Sequence, residues 1–173
     1  MKKRIFIING SGGVGKDTFC EYVGKYAKVR VHSSVEEVKN IARLCGWNGS
    51  KEPKDRKFLS DLKDLLTKYN DLPFRGIQSV VKDFYKDSNE FLFIHIREPK
   101  EIERAKWAFK AVTILVFNDN VKCIYGNHAD DEVLRYSYDE LINNSGTLED
   151  LDTLAKNFVE KWDVSNYPCC RPD

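Results

Sequence analysis

Nine consecutive residues, Gly10-Ser11-Gly12-Gly13-Val14-Gly15-Lys16-Asp17-Thr18, have the makings of a phosphate-binding loop. A chain that wraps a phosphate must turn successive backbone N–H groups inward. Cβ atoms obstruct such a wrap and some positions need φ > 0, so glycines at 10, 12, 13 and 15 meet both demands. A helix that follows directly presents its N-terminal amides and dipole to the same anion. Lys16 can then reach the β- and γ-phosphates of a nucleoside triphosphate. The hydroxyl that usually follows the lysine stands one residue later, at Thr18, with Asp17 between them.

The flanking elements suit this chemistry. Arg4–Asn9 is a β-branched and aromatic run that reads as a buried strand ending at Gly10. From Lys16 the apolar residues Phe19, Tyr22, Val23 and Tyr26 fall on one helical face. Val29–His32 reads as a second strand, and Ser33 or Ser34 can cap the helix carried by Val35, Val38, Ile41, Ala42 and Cys45. Two further helices are marked by Phe58, Leu59, Leu62, Leu65, Leu66 and Tyr69, and by Ile77, Val80, Val81, Phe84 and Tyr85. Residues 91–96 form an almost wholly apolar run, as in a central parallel strand covered on both faces. A helix over about 99–109, a strand over 111–117, a polar segment, a short strand over 138–142 and a helix capped by Thr147 complete the chain. The alternation predicts a mostly parallel sheet with right-handed crossovers.

The 173 residues suffice for one domain with its own core, and 42% hydrophobic with 32% charged residues is an ordinary globular mixture. Lys plus Arg number 28 against 27 Asp plus Glu, so no global field favours a nucleic acid polymer, and no local basic patch stands out. The apolar run after Lys2-Lys3-Arg4 is too short for a secretory signal or a membrane span, which points to the cytoplasm and away from membranes. Five cysteines without CxxC spacing read as reduced thiols, the adjacent Cys169 and Cys170 included.

Several spaced features resemble the deoxynucleoside monophosphate kinase branch of the P-loop kinases. Lys16-Asp17-Thr18 is the loop variant typical of that branch. Ser33-x-Val35-x-x-Val38-Lys39-x-x-Ala42 and Arg56-x-x-Leu59-x-x-Leu62-x-Asp64 resemble its substrate-side helices. Ile94-x-Ile96-Arg97-x-Pro99-x-Glu101 resembles the strand-end motif that sets an arginine beside the transferred phosphoryl group. Tyr138-Asp139-x-x-Ile142-x-Asn144-x-Gly146-Thr147-Leu148 is similar to the closing strand, base-side loop and last helix.

The resemblance implies a three-layer α/β/α P-loop NTPase fold with a five-stranded, mostly parallel sheet. It implies one domain over 1–173, with a core of 1–32 and 90–173, a helical acceptor-binding insert of 33–89 and a short lid of 118–133. It also implies ATP and Mg2+ as cofactors. Lys16 and Arg97 become the catalytic candidates. Gly10 to Thr18 and Asn144 would bind the cofactor, with Asp17 and Thr18 nearest the magnesium. Ser33, Lys39, Arg43, Arg56, Arg75 and His95 would bind the acceptor, with Phe58, Phe74 and Tyr85 available to stack on a base.

Blander alternatives stand beside these roles. Arg97 can be an ion-pair partner of Glu98 or Glu101, and the four helix cations can be solvated charges. Phe58 and Tyr85 lie on apolar stripes and suit a core better than a base platform. Cys123, His128, Asp130 and Asp131 read as lid polarity rather than a metal site. The expected activity is phosphoryl transfer from ATP to a nucleoside or deoxynucleoside monophosphate, by a monomer or homodimer whose partners are nucleotides. Two alternatives stay open. One is a P-loop kinase of another small phosphorylated metabolite. The other is a nucleotide-binding regulatory protein with little turnover, to which His95 points, because it stands where family members usually carry an Asp.

Overall fold

A computed structural model describes residues 3–121, 133 and 136–163. Among the described residues it contains five strands and six helices. In chain order they are β1 (Arg4–Asn9), α1 (Lys16–Val23), β2 (Val29–Ser33), α2 (Glu36–Leu44), α3 (Pro53–Asn70) and α4 (Leu72–Phe84). Then follow β3 (Phe91–His95), α5 (Pro99–Phe109), β4 (Val112–Phe117), β5 (Glu140–Asn143) and α6 (Leu148–Trp162).

The strands form one sheet in the order β2-β3-β1-β4-β5. β1 runs parallel to β3, with Ile7 opposite Ile94, and parallel to β4, with Ile8 opposite Ile114. β4 runs parallel to β5, with Val116 opposite Ile142. The central position of β1 explains its composition, since Ile5, Phe6, Ile7 and Ile8 are all buried. Alternate β1 side chains serve opposite faces. Phe6 and Ile8 join Phe19 of α1 and Leu151, Ala155 and Phe158 of α6 in one core cluster. Within it the Phe6 ring lies 5.1 Å from Phe93 and 5.0 Å from Phe158. α5 packs on β1 and β4 and buries Ile102 and Ala105 on the other face, so the expected helix–sheet–helix layering is found.

By its internal contacts the chain divides into Met1–Val31 with Ser88–Asp173, and His32–Asp87. In the second unit α2, α3 and α4 each touch the other two. Val38 and Ala42 of α2, and Phe74, Ile77, Val81 and Phe84 of α4, are buried. Asp71, at φ 57, ends α3 and starts α4, and Pro73 sits in the first turn of α4 where its missing N–H has no helical partner to lose.

Several local expectations are corrected. Neither Ser33 nor Ser34 caps α2: Ser33 belongs to β2, and the N-cap is Val35 without a side-chain bond. Tyr26 lies beyond α1, which stops at Gly24, and its hydroxyl donates to Asp152 of α6. The apolar stripe of α3 is not a core stripe. No α3 residue is buried, and Phe58, Leu65 and Tyr69 are exposed. Thr147 does cap α6, in a capping box with Asp150 whose carboxylate accepts from the Thr147 N–H at 2.8 Å.

Candidate active site

Parallel strands release their following loops at one edge of a sheet, where open α/β sheets bind ligands. Residues 10–15 leave β1 there, residues 96–98 leave β3, residues 118–120 leave β4 and residues 144–147 leave β5.

The loop after β1 is held tightly from outside. Gly10, at φ 148, runs so close to β4 that a Cβ there would strike the Val116 carbonyl. Gly15, at φ 89, is the N-cap of α1, and a Cβ on it would collide with the side-chain amide of Asn144. That amide donates to the Val14 carbonyl at 2.9 Å. Asn144 is fixed in turn: its N–H donates to the Phe117 carbonyl at 2.8 Å, and the Asn118 side chain donates to its carbonyl. The residue expected to touch the cofactor therefore braces the loop. Gly12 and Gly13 differ from Gly10 and Gly15, because both are exposed and a Cβ on either would meet nothing within 4 Å; of the two, only Gly13 has a positive φ, 82.

Lys16 lies across the loop, its Nζ donating to the carbonyls of Gly10 at 2.6 Å and Ser11 at 2.8 Å. Its cation is thus held against the loop's own carbonyls, on a side chain that starts from the first residue of α1. Glycine walls, a helix N-terminus and a lysine form a site that fits a polyphosphate.

Asp17 and Thr18 occupy the first turn of α1. The Asp17 side chain is 88% exposed and stands 3.6 Å from His95 Nε2, at the end of β3; the His95 side chain is only 18% exposed. Among the described residues no group of three or more His, Cys, Asp and Glu can hold a metal ion. A magnesium ion would have one carboxylate here, Asp17, with phosphate oxygens and water for the rest, which is how Mg2+ commonly binds. Cys123, His128, Asp130, Asp131 and most of the expected lid lie outside the described residues.

Arg97 is exposed just past Ile96, and its carbonyl accepts from the side-chain amide of Asn9 at 3.2 Å. Sequence reading missed Asn9. It is 1% exposed, its Oδ1 accepts from the Gly10 N–H at 2.8 Å, and its Nδ2 donates to the Tyr138 hydroxyl at 2.9 Å. Burial pushes that phenol up to about 12, so it stays neutral. The signal available in sequence was a polar residue closing an apolar strand directly before a glycine, and only its burial gives that meaning.

Ser33, the last residue of β2, and Lys39, Arg43, Arg56 and Arg75 of the helices fall in the unit from His32 to Asp87. Three of the four cations have partners within it. Lys39 stands 3.8 Å from Glu36, Arg43 donates to Asn40 at 2.7 Å and to Glu36 at 3.3 Å, and Arg56 donates to the Lys51 carbonyl at 2.8 Å. Arg75 is exposed on α4, and its side chain makes no hydrogen bond or ion pair with a described residue. Phe74, expected to be available to a base, is 5% exposed and belongs to the core. Phe58 and Tyr85, expected in the core, are exposed instead.

No protein-family model matches the sequence, and no curated protein matches it. Solved structures do. The tunicamycin resistance protein of Deinococcus radiodurans is 13% identical with a TM-score of 0.57, covering 99% of this chain and 100% of its own. TT1252 from Thermus thermophilus is 16% identical with a TM-score of 0.53, covering 94% and 99%. Shikimate kinase from Aquifex aeolicus is 14% identical with a TM-score of 0.51, again covering 94% and 99%. At such identities the likeness is one of fold, and it spans nearly the whole chain. Sheet order, glycine loop and neighbours together give this chain the α/β/α fold of the P-loop kinases.

Proposed function

We propose that this protein transfers the γ-phosphoryl group of ATP to a nucleoside or deoxynucleoside monophosphate. The observation that carries the reading is Lys16 lying across a glycine loop at the carboxyl edge of the sheet, with Arg97 leaving the strand next to β1. Phosphoryl transfer needs little covalent help from protein; alignment and charge neutralisation supply most of the rate. Lys16 exchanges the Gly10 and Ser11 carbonyls for phosphate oxygens, and the loop amides bind the remainder. Arg97 neutralises charge on the equatorial oxygens in flight. Asp17 and Thr18 are the residues that would hold magnesium bound with ATP, which would supply further charge neutralisation. His95 and the cations Lys39, Arg43, Arg56 and Arg75 are the acceptor-side groups, and Arg75 leads them because its charge meets no partner among the described residues. Residues 118–133 close over the site and exclude water. The protein works in the cytoplasm as a monomer or homodimer.

A second reading, a kinase of another small phosphorylated metabolite, is favoured by the burial of Phe74, which removes one base-stacking candidate. The shikimate kinase among the fold neighbours is named for a small non-nucleotide acceptor. ADP release from ATP and magnesium, measured across ribo- and deoxynucleoside monophosphates, separates the readings. Strong stimulation by one nucleotide, lost in Lys16→Ala, is the expected result. ATP binding with no nucleotide stimulation would remove the leading reading and leave the metabolite kinase and the regulatory protein.

A further inference from the structure

We infer that Asn9 is a positioning residue that holds the phosphate loop and the Arg97 strand end in one fixed relation. The inference rests on the reading of residues 10–18 as an ATP site. Asn9 is the last residue of β1, and its side chain uses both of its polar atoms inside the protein. Oδ1 accepts from the N–H that begins the loop, at 2.8 Å. Nδ2 donates to the Arg97 carbonyl at 3.2 Å and to the Tyr138 hydroxyl at 2.9 Å. One planar amide thereby ties three segments that the backbone ladder leaves untied. The β1–β3 register runs only as far as Ile8 opposite His95, so Arg97 lies beyond the last pair. Beyond that ladder, the Asn9 amide reaches the turn of the chain at Arg97 from within the core.

The chemistry favours asparagine. Aspartate keeps the acceptor for Gly10 but replaces the donor with an oxygen facing a carbonyl. Leucine keeps the volume and loses every bond. Serine is too short to span the three partners. A buried amide with its partners satisfied is rigid, because any rotation strands a donor or an acceptor away from water. Tyr138 extends the coupling to the chain that enters β5. The neighbouring Asp139 is anchored there too, accepting from the Thr113 N–H and hydroxyl at 2.9 Å each.

A structural role alone predicts loss of stability without a specific link to Arg97. The positioning role predicts that Asn9 and Arg97 act as one unit on bound triphosphate. The test measures ATP–magnesium affinity by calorimetry, and thermal unfolding, for the full chain and for Asn9→Leu, Arg97→Ala, their double variant and Tyr138→Phe. Asn9→Leu is expected to weaken ATP binding about tenfold. In that background Arg97→Ala should add less than about twofold, although alone it weakens binding severalfold. Tyr138→Phe deletes one oxygen, so it keeps the fold should Asn9→Leu not, and is expected to weaken ATP binding about threefold. Additive effects of Asn9→Leu and Arg97→Ala, or ATP affinity unchanged in both Asn9→Leu and Tyr138→Phe, would overturn the positioning role while leaving the ATP site standing. Failure of the unaltered protein to bind ATP would instead overturn the ATP site, and the inference with it.

Discussion

Gly10 and Gly12 are two residues apart in one loop, yet the structure gives them different reasons to be glycine. A methyl group at Gly10 meets the Val116 carbonyl in the middle of the sheet, where neither backbone can retreat without disturbing the β1–β4 pairing. Overpacking of that kind costs about 1–3 kcal/mol, and the φ of 148 adds about 1 kcal/mol or more of strain. For a chain of this size each kcal/mol moves the midpoint about 2–4 °C, so Gly10→Ala should lower Tm by roughly 5–15 °C. Gly12 has neither constraint, and Gly12→Ala should stay within about 2 °C of the parent. If the loop wraps a triphosphate, however, the added methyl at Gly12 stands on the exposed side where the anion must approach. ATP affinity should then fall about tenfold or more with the fold intact. Scanning calorimetry and ATP titration on the two variants read both effects. Equal destabilisation by the two substitutions, or unimpaired ATP binding by Gly12→Ala, would refute the division of roles.

Two further outcomes follow from the network around the loop. Asn144→Leu is nearly isosteric but cannot donate to Val14, so ATP titration should show affinity reduced about five- to tenfold with little change in Tm. Asp139 is pushed up by burial, but its bonds with Lys106 and Thr113 outweigh this and hold its carboxyl below the usual range. Its folded pKa lies below the unfolded one, so the stabilisation is present above about pH 4 and is lost as pH falls through the folded value. Urea titrations of Asp139→Asn and the parent should therefore differ at pH 6 and converge toward pH 2; a constant difference would show that the carboxylate charge plays no part.

Much of this architecture was readable from periodicity. β1, β3 and β4 are almost continuous apolar runs because helices cover both faces, and the structure moves their ends by no more than a residue or two. Thr147 announced the start of α6 as its cap, and the structure adds the capping box with Asp150. The second unit was harder to read. A period of three to four marks α3 as a helix, but it does not say whether Phe58, Leu65 and Tyr69 find partners, and here they remain exposed. Phe74 failed in the opposite sense, because it lies with Ile77, Val81 and Phe84 among the buried residues of α4. At the site, the glycines and Lys16 were legible since their chemistry is local. Asn9 was not, and the bracing role of Asn144 was not, because each depends on strands that meet only after folding.

The central place of β1 also bears on how the chain is made. Ile5 to Ile8 are synthesised well before their partners, which lie at 92–95 and 112–114. At a ribosomal pace of 5–20 residues per second, the apolar strand waits roughly 5–20 s for both neighbours. Meanwhile the helices between Glu36 and Phe84 emerge with contacts among themselves. The nascent chain therefore carries an unpaired, four-residue hydrophobic strand beside helical segments, and that strand is where a holding chaperone or a premature aggregate would take hold.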